Sequence, residues 1–164
     1  MEALLLKVYN SKKATLSLRI ISSLSVIISV LSYCALLFLS FYNSIPEGLA
    51  VLLSCAVPFF IVGFVRMKIN APRPYELYDF YLVKPKERSG RSFPSRHAYS
   101  VFVIAVVAFA YSVPLGAALL TLGVCLSVSR VLLGIHFPRD VITGGLIGVL
   151  AGLIGLFSVI LPFT

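Results

Sequence analysis

The sequence predicts an all-α fold, a polytopic membrane helix bundle of about five transmembrane helices whose polar residues gather at one membrane face. Three observations carry this. Of 164 residues, 59% are apolar, where soluble domains hold roughly 45 to 50%, and the mean hydropathy is +1.01. The uncharged runs are long, from Ile20 to Pro46, Gly48 to Val65, His97 to Ser129 and Val141 to Thr164, and about 20 apolar residues suffice to cross a hydrocarbon core. The charged residues fall outside those runs. Residues 1–164 thus read as one integral membrane domain, with little chain left for a soluble one.

Residues 1–19 begin apolar at Leu4, Leu5, Leu6 and Val8 and then turn basic, which suits a short interfacial helix ahead of the first span; a plain tail is the alternative. The first span is placed near 20–42, too long an apolar run for a cleavable signal, and the second near 48–66. A single helix from His97 to Ser129 would be about 50 Å long, against a core of roughly 30 Å. The run is therefore split at Ser112, Pro114 and Gly116, residues that punctuate helices, giving spans near 96–112 and 115–134. The last span, near 140–162, carries Gly144, Gly148, Gly152 and Gly155. Such a stripe lets another helix approach closely, either within the chain or across a homodimer seam. The loop from Lys68 to Arg96 is the long polar segment; its Tyr75, Tyr78, Phe80 and Tyr81 favour the headgroup level, as a substrate entry or merely as an anchor.

In this topology all fourteen Lys and Arg residues fall on one membrane face. Basic residues in short loops mark the cytoplasmic side, so the N-terminus and the charged loops are expected in the cytoplasm of a multi-pass cell-membrane protein. The net charge of +8 does not point to nucleic acid, because the basic residues are confined to membrane-flanking loops without a nucleic-acid fold. Anionic lipid is the expected partner. Cys34, Cys55 and Cys125 stand singly in apolar spans, without the paired spacing of a metal site or disulfide framework.

Three polar clusters stand at the ends of apolar spans, where charge is expensive and usually functional. They are Arg66 to Pro74, Phe93 to His97, and Ser129 to Asp140. The chain's two histidines, His97 and His136, both lie in them. With only Asp79, Asp140, Glu76 and Glu87 nearby and no ligand-spaced pair, the expectation is no metal and no cofactor. Phosphoryl transfer without a metal needs cations for the nonbridging oxygens, an in-line nucleophile and a proton donor for the leaving alkoxide. Guanidinium forks match phosphate oxygens, so Arg66, Arg73 and Arg130 are natural clamps. Ser95, Arg96 and His97 open a helix, whose amides and dipole also favour an anion. His136 and Asp140 are four residues apart, so the carboxylate can fix one imidazole nitrogen and free the other.

These residues resemble the type 2 phosphatidic acid phosphatase superfamily. The family pattern Ser-Arg, five residues, His, three residues, Asp is met by Ser129, Arg130, His136 and Asp140. Its Pro-Ser-Gly-His appears as Pro94, Ser95, Arg96 and His97, with arginine for glycine. Its Lys, six residues, Arg-Pro appears as Arg66, six residues, Arg73 and Pro74, with arginine for lysine. The resemblance implies an active site in which His136 attacks phosphorus to form a phosphohistidine, Asp140 orients it and His97 protonates the leaving group. It implies that Arg66, Arg73, Ser95, Arg96 and Arg130 bind phosphate; because Arg96 departs from the family glycine, contact with a second phosphate instead is a separate expectation. The substrate would be a lipid phosphate or diphosphate of the phosphatidate, phosphatidylglycerophosphate or undecaprenyl diphosphate class. Alternatives are a lipid-to-acceptor phosphotransferase and a non-enzymatic lipid-headgroup binding or transport protein. The family's six-span core is expected here without its first span, which moves the site to the side of the N-terminus.

Overall fold

In the computed structural model the described residues are 5, 6, 8, 10–77 and 90–161. They form helices α1 (Lys12–Asn43), α2 (Ile45–Ile69), α3 (Pro74–Leu77), α4 (Arg96–Ala108), α5 (Val113–Leu132) and α6 (Pro138–Ile160), with no strand among them. The aromatics Tyr78, Phe80 and Tyr81, and the charged residues Asp79, Lys84, Lys86, Glu87 and Arg88, lie outside the described residues.

Serine starts most of the long helices. Ser11, Ser44, Ser95 and Ser112 each accept an N–H from three residues on, at 3.2–3.4 Å, satisfying amides that a first turn leaves orphaned, for about 1 kcal/mol each. Pro114 follows Ser112 inside the first turn, where its missing N–H costs nothing. The expected break between the third and fourth spans is therefore correct. The third span itself is shorter than expected: α4 ends at Ala108, followed by turn residues 109–111. Its 13 residues rise about 20 Å, less than a bilayer core. The shortness is tolerable because α4 is the axis of the bundle, with Ala98, Tyr99, Val101 and Val103 to Ala108 all buried, so its ends meet protein rather than lipid.

Leu5, Leu6 and Val8 are helical, and Lys12, Lys13 and Arg19 belong to α1, which starts at the Ser11 cap, so the basic part of the N-terminal segment is continuous with the helix of the first span. Hydrophobicity marks the membrane-embedded part of a helix, and its backbone continues past that part until a cap stops it.

The other four long helices are apolar and long enough to cross a membrane. They are built inside out: α1 buries Ser22, Ser25, Ser29 and Ser40 and exposes large apolar side chains such as Phe38, 74% exposed, as α2 does with Phe60, 73% exposed. Lipid is as apolar as leucine, so small residues go to the helix contacts and large ones face outward. Ser29 and Ser40 return their hydroxyl protons to Ser25 O at 2.7 Å and Leu37 O at 2.8 Å.

The glycine stripe of α6 lies against α4 and α2 of the same chain. A Cβ on Gly148 would stand 2.5 Å from Tyr99 O, one on Gly152 2.6 Å from Val106 Cβ, and one on Gly155 2.5 Å from Ser54 Oγ. Intrachain packing, the first of the two readings of the stripe, occupies this face. The pairing is parallel, Gly144 near Ser95 and Gly155 near Val107, so α4 and α6 begin on the same side of the membrane. On the opposite side, Tyr111 Oη and Asn43 Nδ2 both donate to Glu47 Oε1, at 2.6 and 3.0 Å, tying two turns together.

Candidate active site

The ends of α2 and α5 and the starts of α4 and α6 bring the three polar clusters together. Arg66, in the last turn of α2 and only 7% exposed, donates from Nη1 to Pro94 O at 2.6 Å and lies 3.5 Å from Ser92 O. The first cluster thus grips the second. Ser95 N–H donates to Asp140 O at 2.9 Å, joining the second to the third. The third is linked back by Tyr75 N–H, which donates to Gly134 O at 3.3 Å. Gly134 has φ +67, a left-handed conformation that glycine adopts without penalty, and it turns the chain from α5 toward His136.

His97 lies within electrostatic reach of Arg66, Arg96, Arg130 and His136, and Arg73 of Arg130 and His136. All eight residues expected at the site are therefore gathered at one face. Arg66, Arg73, Arg91 and Arg96 line one cavity of about 310 Å³, walled on its apolar side by Phe59, Phe60 and Phe64. Such a cavity offers cations to a headgroup and aromatic surface to what it is attached to. Arg73 Nε donates to Gly90 O at 3.1 Å, leaving its terminal nitrogens for an anion. Arg96 stacks over the Phe59 ring at 5.4 Å. Arg130 Nε is buried with no hydrogen-bond partner among the described residues. Ser95 spends its hydroxyl oxygen on the Ala98 N–H, which leaves its proton to donate.

Around His136 the geometry differs from the simple pair expected. Nδ1 stands 3.5 Å from Asp140 Oδ2, too long for a strong hydrogen bond. Ser92 fills in: its hydroxyl donates to Asp140 Oδ2, and its Oγ lies 3.3 Å from His136 Nδ1. Asp140 Oδ2 also accepts the Phe137 N–H at 3.0 Å, so the carboxylate caps α6 as well as facing the imidazole. Burial holds the His136 pKa below its ordinary value, Arg73 and Arg66 push the same way, and Asp140 opposes them. The imidazole is therefore neutral near pH 7, the form able to attack.

Sequence reasoning missed Ser92, Glu76 and Arg91 as site residues. Glu76 accepts the Gly90 N–H at 2.6 Å and the Arg73 N–H at 3.2 Å, which fixes the segment carrying Arg91 and Ser92. The signal available for Arg91 was its charge at the edge of the second cluster; for Ser92, a lone hydroxyl in a polar loop, there was none.

Comparison with known proteins bears on the fold and the family. A segment of 62 residues, 38% of this chain, is 39% identical to the bacitracin transport permease protein BcrC of Bacillus licheniformis, of which it covers 30%. This chain thus aligns with under a third of that protein's length. The crystal structure of Aquifex aeolicus LpxE superposes with a TM-score of 0.71 at 24% identity, covering 94% of this chain and 93% of the other. The crystal structure of the first transmembrane PAP2 type phosphatidylglycerolphosphate phosphatase from Bacillus subtilis superposes with a TM-score of 0.69 at 23% identity, covering 94% and 81%. These two share the fold. The sequence profile of the PAP2 superfamily matches residues 47–160, a stretch that contains all three polar clusters, and the chain belongs to that superfamily.

Proposed function

We propose that the protein is a membrane phosphatase that hydrolyses the phosphate or diphosphate ester of a lipid through a phosphohistidine. The observation that carries this reading is the buried His136 imidazole, backed by Ser92 and Asp140 and within electrostatic reach of Arg66 and Arg73, two of the arginines that line the cavity. His136 Nε2 attacks phosphorus, the bond from phosphorus to the lipid-side oxygen breaks, and His97 gives its proton to that oxygen. Lipid alcohol leaves from a monophosphate, and lipid monophosphate from a diphosphate. Water, giving a proton to His97, then attacks the phosphohistidine; inorganic phosphate departs and both histidines are restored. The guanidiniums of Arg66, Arg73 and Arg130 hold the nonbridging oxygens as charge develops.

The name of the BcrC relative, a transport permease, favours carriage of a ligand. Binding alone needs the arginines but neither the buried His136 and Asp140 pair nor His97, which favours chemistry. Phosphate release in detergent from phosphatidate, phosphatidylglycerophosphate and a polyprenyl diphosphate, beside a His136→Ala control, decides. Release from at least one lipid, absent in the control, supports hydrolysis; release from none, or equal release by the control, refutes it. Phosphate delivered only to an added lipid alcohol would instead identify a phosphotransferase.

The basic residues support a site facing the cytoplasm, on the side of the N-terminus. In a chain with Cys34, Cys55 and Cys125 replaced, an impermeant thiol reagent outside intact cells is expected to label Tyr42→Cys and spare Asn10→Cys. The reverse pattern would invert the orientation.

A further inference from the structure

We infer that Ser92 is a positioning residue whose hydroxyl locks the His136 imidazole in the Nδ1–H tautomer, leaving Nε2 free as the nucleophile. The inference deepens the phosphohistidine reading above and rests on it. It follows from counting protons. A serine hydroxyl has one proton, and an ionised carboxylate has none. The Ser92 proton is given to Asp140 Oδ2, so what Ser92 Oγ turns toward His136 Nδ1, at 3.3 Å, is a lone pair. The other atom facing Nδ1, Asp140 Oδ2 at 3.5 Å, is also an acceptor. Nδ1 must therefore carry the imidazole proton and share it between the two oxygens. The opposite tautomer would set a ring lone pair against lone pairs on both neighbours. Ser92 and Asp140 are fully buried and His136 is 2% exposed, so water is poorly placed to relieve that clash.

Ser92 is itself held firmly enough to act in this way. Its N–H donates to Ala71 O at 2.9 Å, in the segment between Arg66 and Arg73. Its carbonyl lies 3.5 Å from Arg66 Nη1, the same nitrogen that bonds Pro94 O. One residue thus touches all three polar clusters, and the arginine that would hold phosphate is coupled through it to the imidazole that would attack. At 3.5 Å the carboxylate holds the ring only weakly, and the hydroxyl oxygen at 3.3 Å gives Nδ1 a second acceptor.

The test is ¹⁵N spectroscopy of the full chain in detergent or nanodiscs near neutral pH, with labelled histidine. The chain has two histidines, so a His97→Gln variant assigns the spectrum. His136 in the wild type is expected as a single Nδ1–H tautomer, Ser92→Ala as a mixture of tautomers, and Ser92→Thr as a return toward the wild type. In phosphate-release assays Ser92→Ala should lower kcat on the order of 10-fold to 100-fold with little change in KM. A wild-type Nε2–H tautomer would overturn the inference. So would a Ser92→Ala spectrum like the wild type, even if that variant were less stable, since a merely structural serine would affect only stability. A wild type that releases no phosphate yet shows the expected tautomer would refute the proposed reaction and leave the hydrogen-bond assignment standing.

Discussion

Gly144 of α6 faces Ser95 so closely that a Cβ added to it would overlap the Ser95 carbonyl oxygen. The contact joins the second turn of α6 to the N-cap of α4, and the Ser95 N–H is already donated to Asp140 O. The neighbour is backbone, so it cannot rotate away as a side chain would. Close packing of the glycine stripe therefore sets the distance between the α4 end, with Arg96 and His97, and the α6 end, with His136 and Asp140.

Substituting this glycine should consequently disturb stability and chemistry together. Gly144→Ala is expected to cost about 1–3 kcal/mol by overpacking, read as a lower melting temperature in detergent, and to cut phosphate release sharply in the fraction that stays folded. Ile154→Ala, at an exposed position on the same helix, is the control and should be silent. Equal behaviour of the two variants would mean that the helix contact does not set the site.

Arg96 stands where the resembling family usually has glycine, and it lines the same cavity as Arg66, Arg73 and Arg91. Its stacking on Phe59 holds the guanidinium at the cavity wall, where the expected contact with a second phosphate is open to test. Arg96→Gly is expected to reduce kcat/KM for a lipid diphosphate roughly ten- to hundredfold more than for a monophosphate, the scale of one lost charge-assisted contact. Equal losses on both substrates would count against a second-phosphate role.

The depressed pKa of His136 sets a sign for the pH dependence. Burial keeps the ring neutral below the ordinary histidine range, and attack requires the neutral ring. The acid limb of kcat/KM, which reports the free enzyme, should therefore fall below about pH 6.5. A limb above that value would mean that His136 is charged where the structure makes it neutral.

How much of this was legible beforehand depended on the range of the interaction. The helical spans follow from apolar runs, and the break at Ser112 and Pro114 follows from local chemistry, since a cap and a first-turn proline act within three residues. The ends of α1 and α4 were not legible. Lys12 to Arg19 continue a helix that the apolar run does not mark, and α4 is short only because its neighbours enclose it. The same division holds at the site. Arg66, Arg73, His97, Arg130, His136 and Asp140 stand out because charge at a span end is costly, whereas Ser92 acts on a carboxylate 48 residues away, a distance over which a single hydroxyl leaves no pattern. The stripe of Gly144, Gly148, Gly152 and Gly155 announced a close helix contact, but only the fold identifies α4 and α2 as the partners.

The most direct test of the central claim is to trap the covalent intermediate. The wild-type protein is mixed with a lipid phosphate carrying ³²P, quenched in denaturant within one turnover and mapped by peptide. The account predicts an acid-labile, base-stable phosphoryl group on the peptide containing His136, absent from His136→Ala, with the yield raised when His97→Ala slows discharge. Phosphate release that persists in His136→Ala, or label on a different side chain, would contradict it.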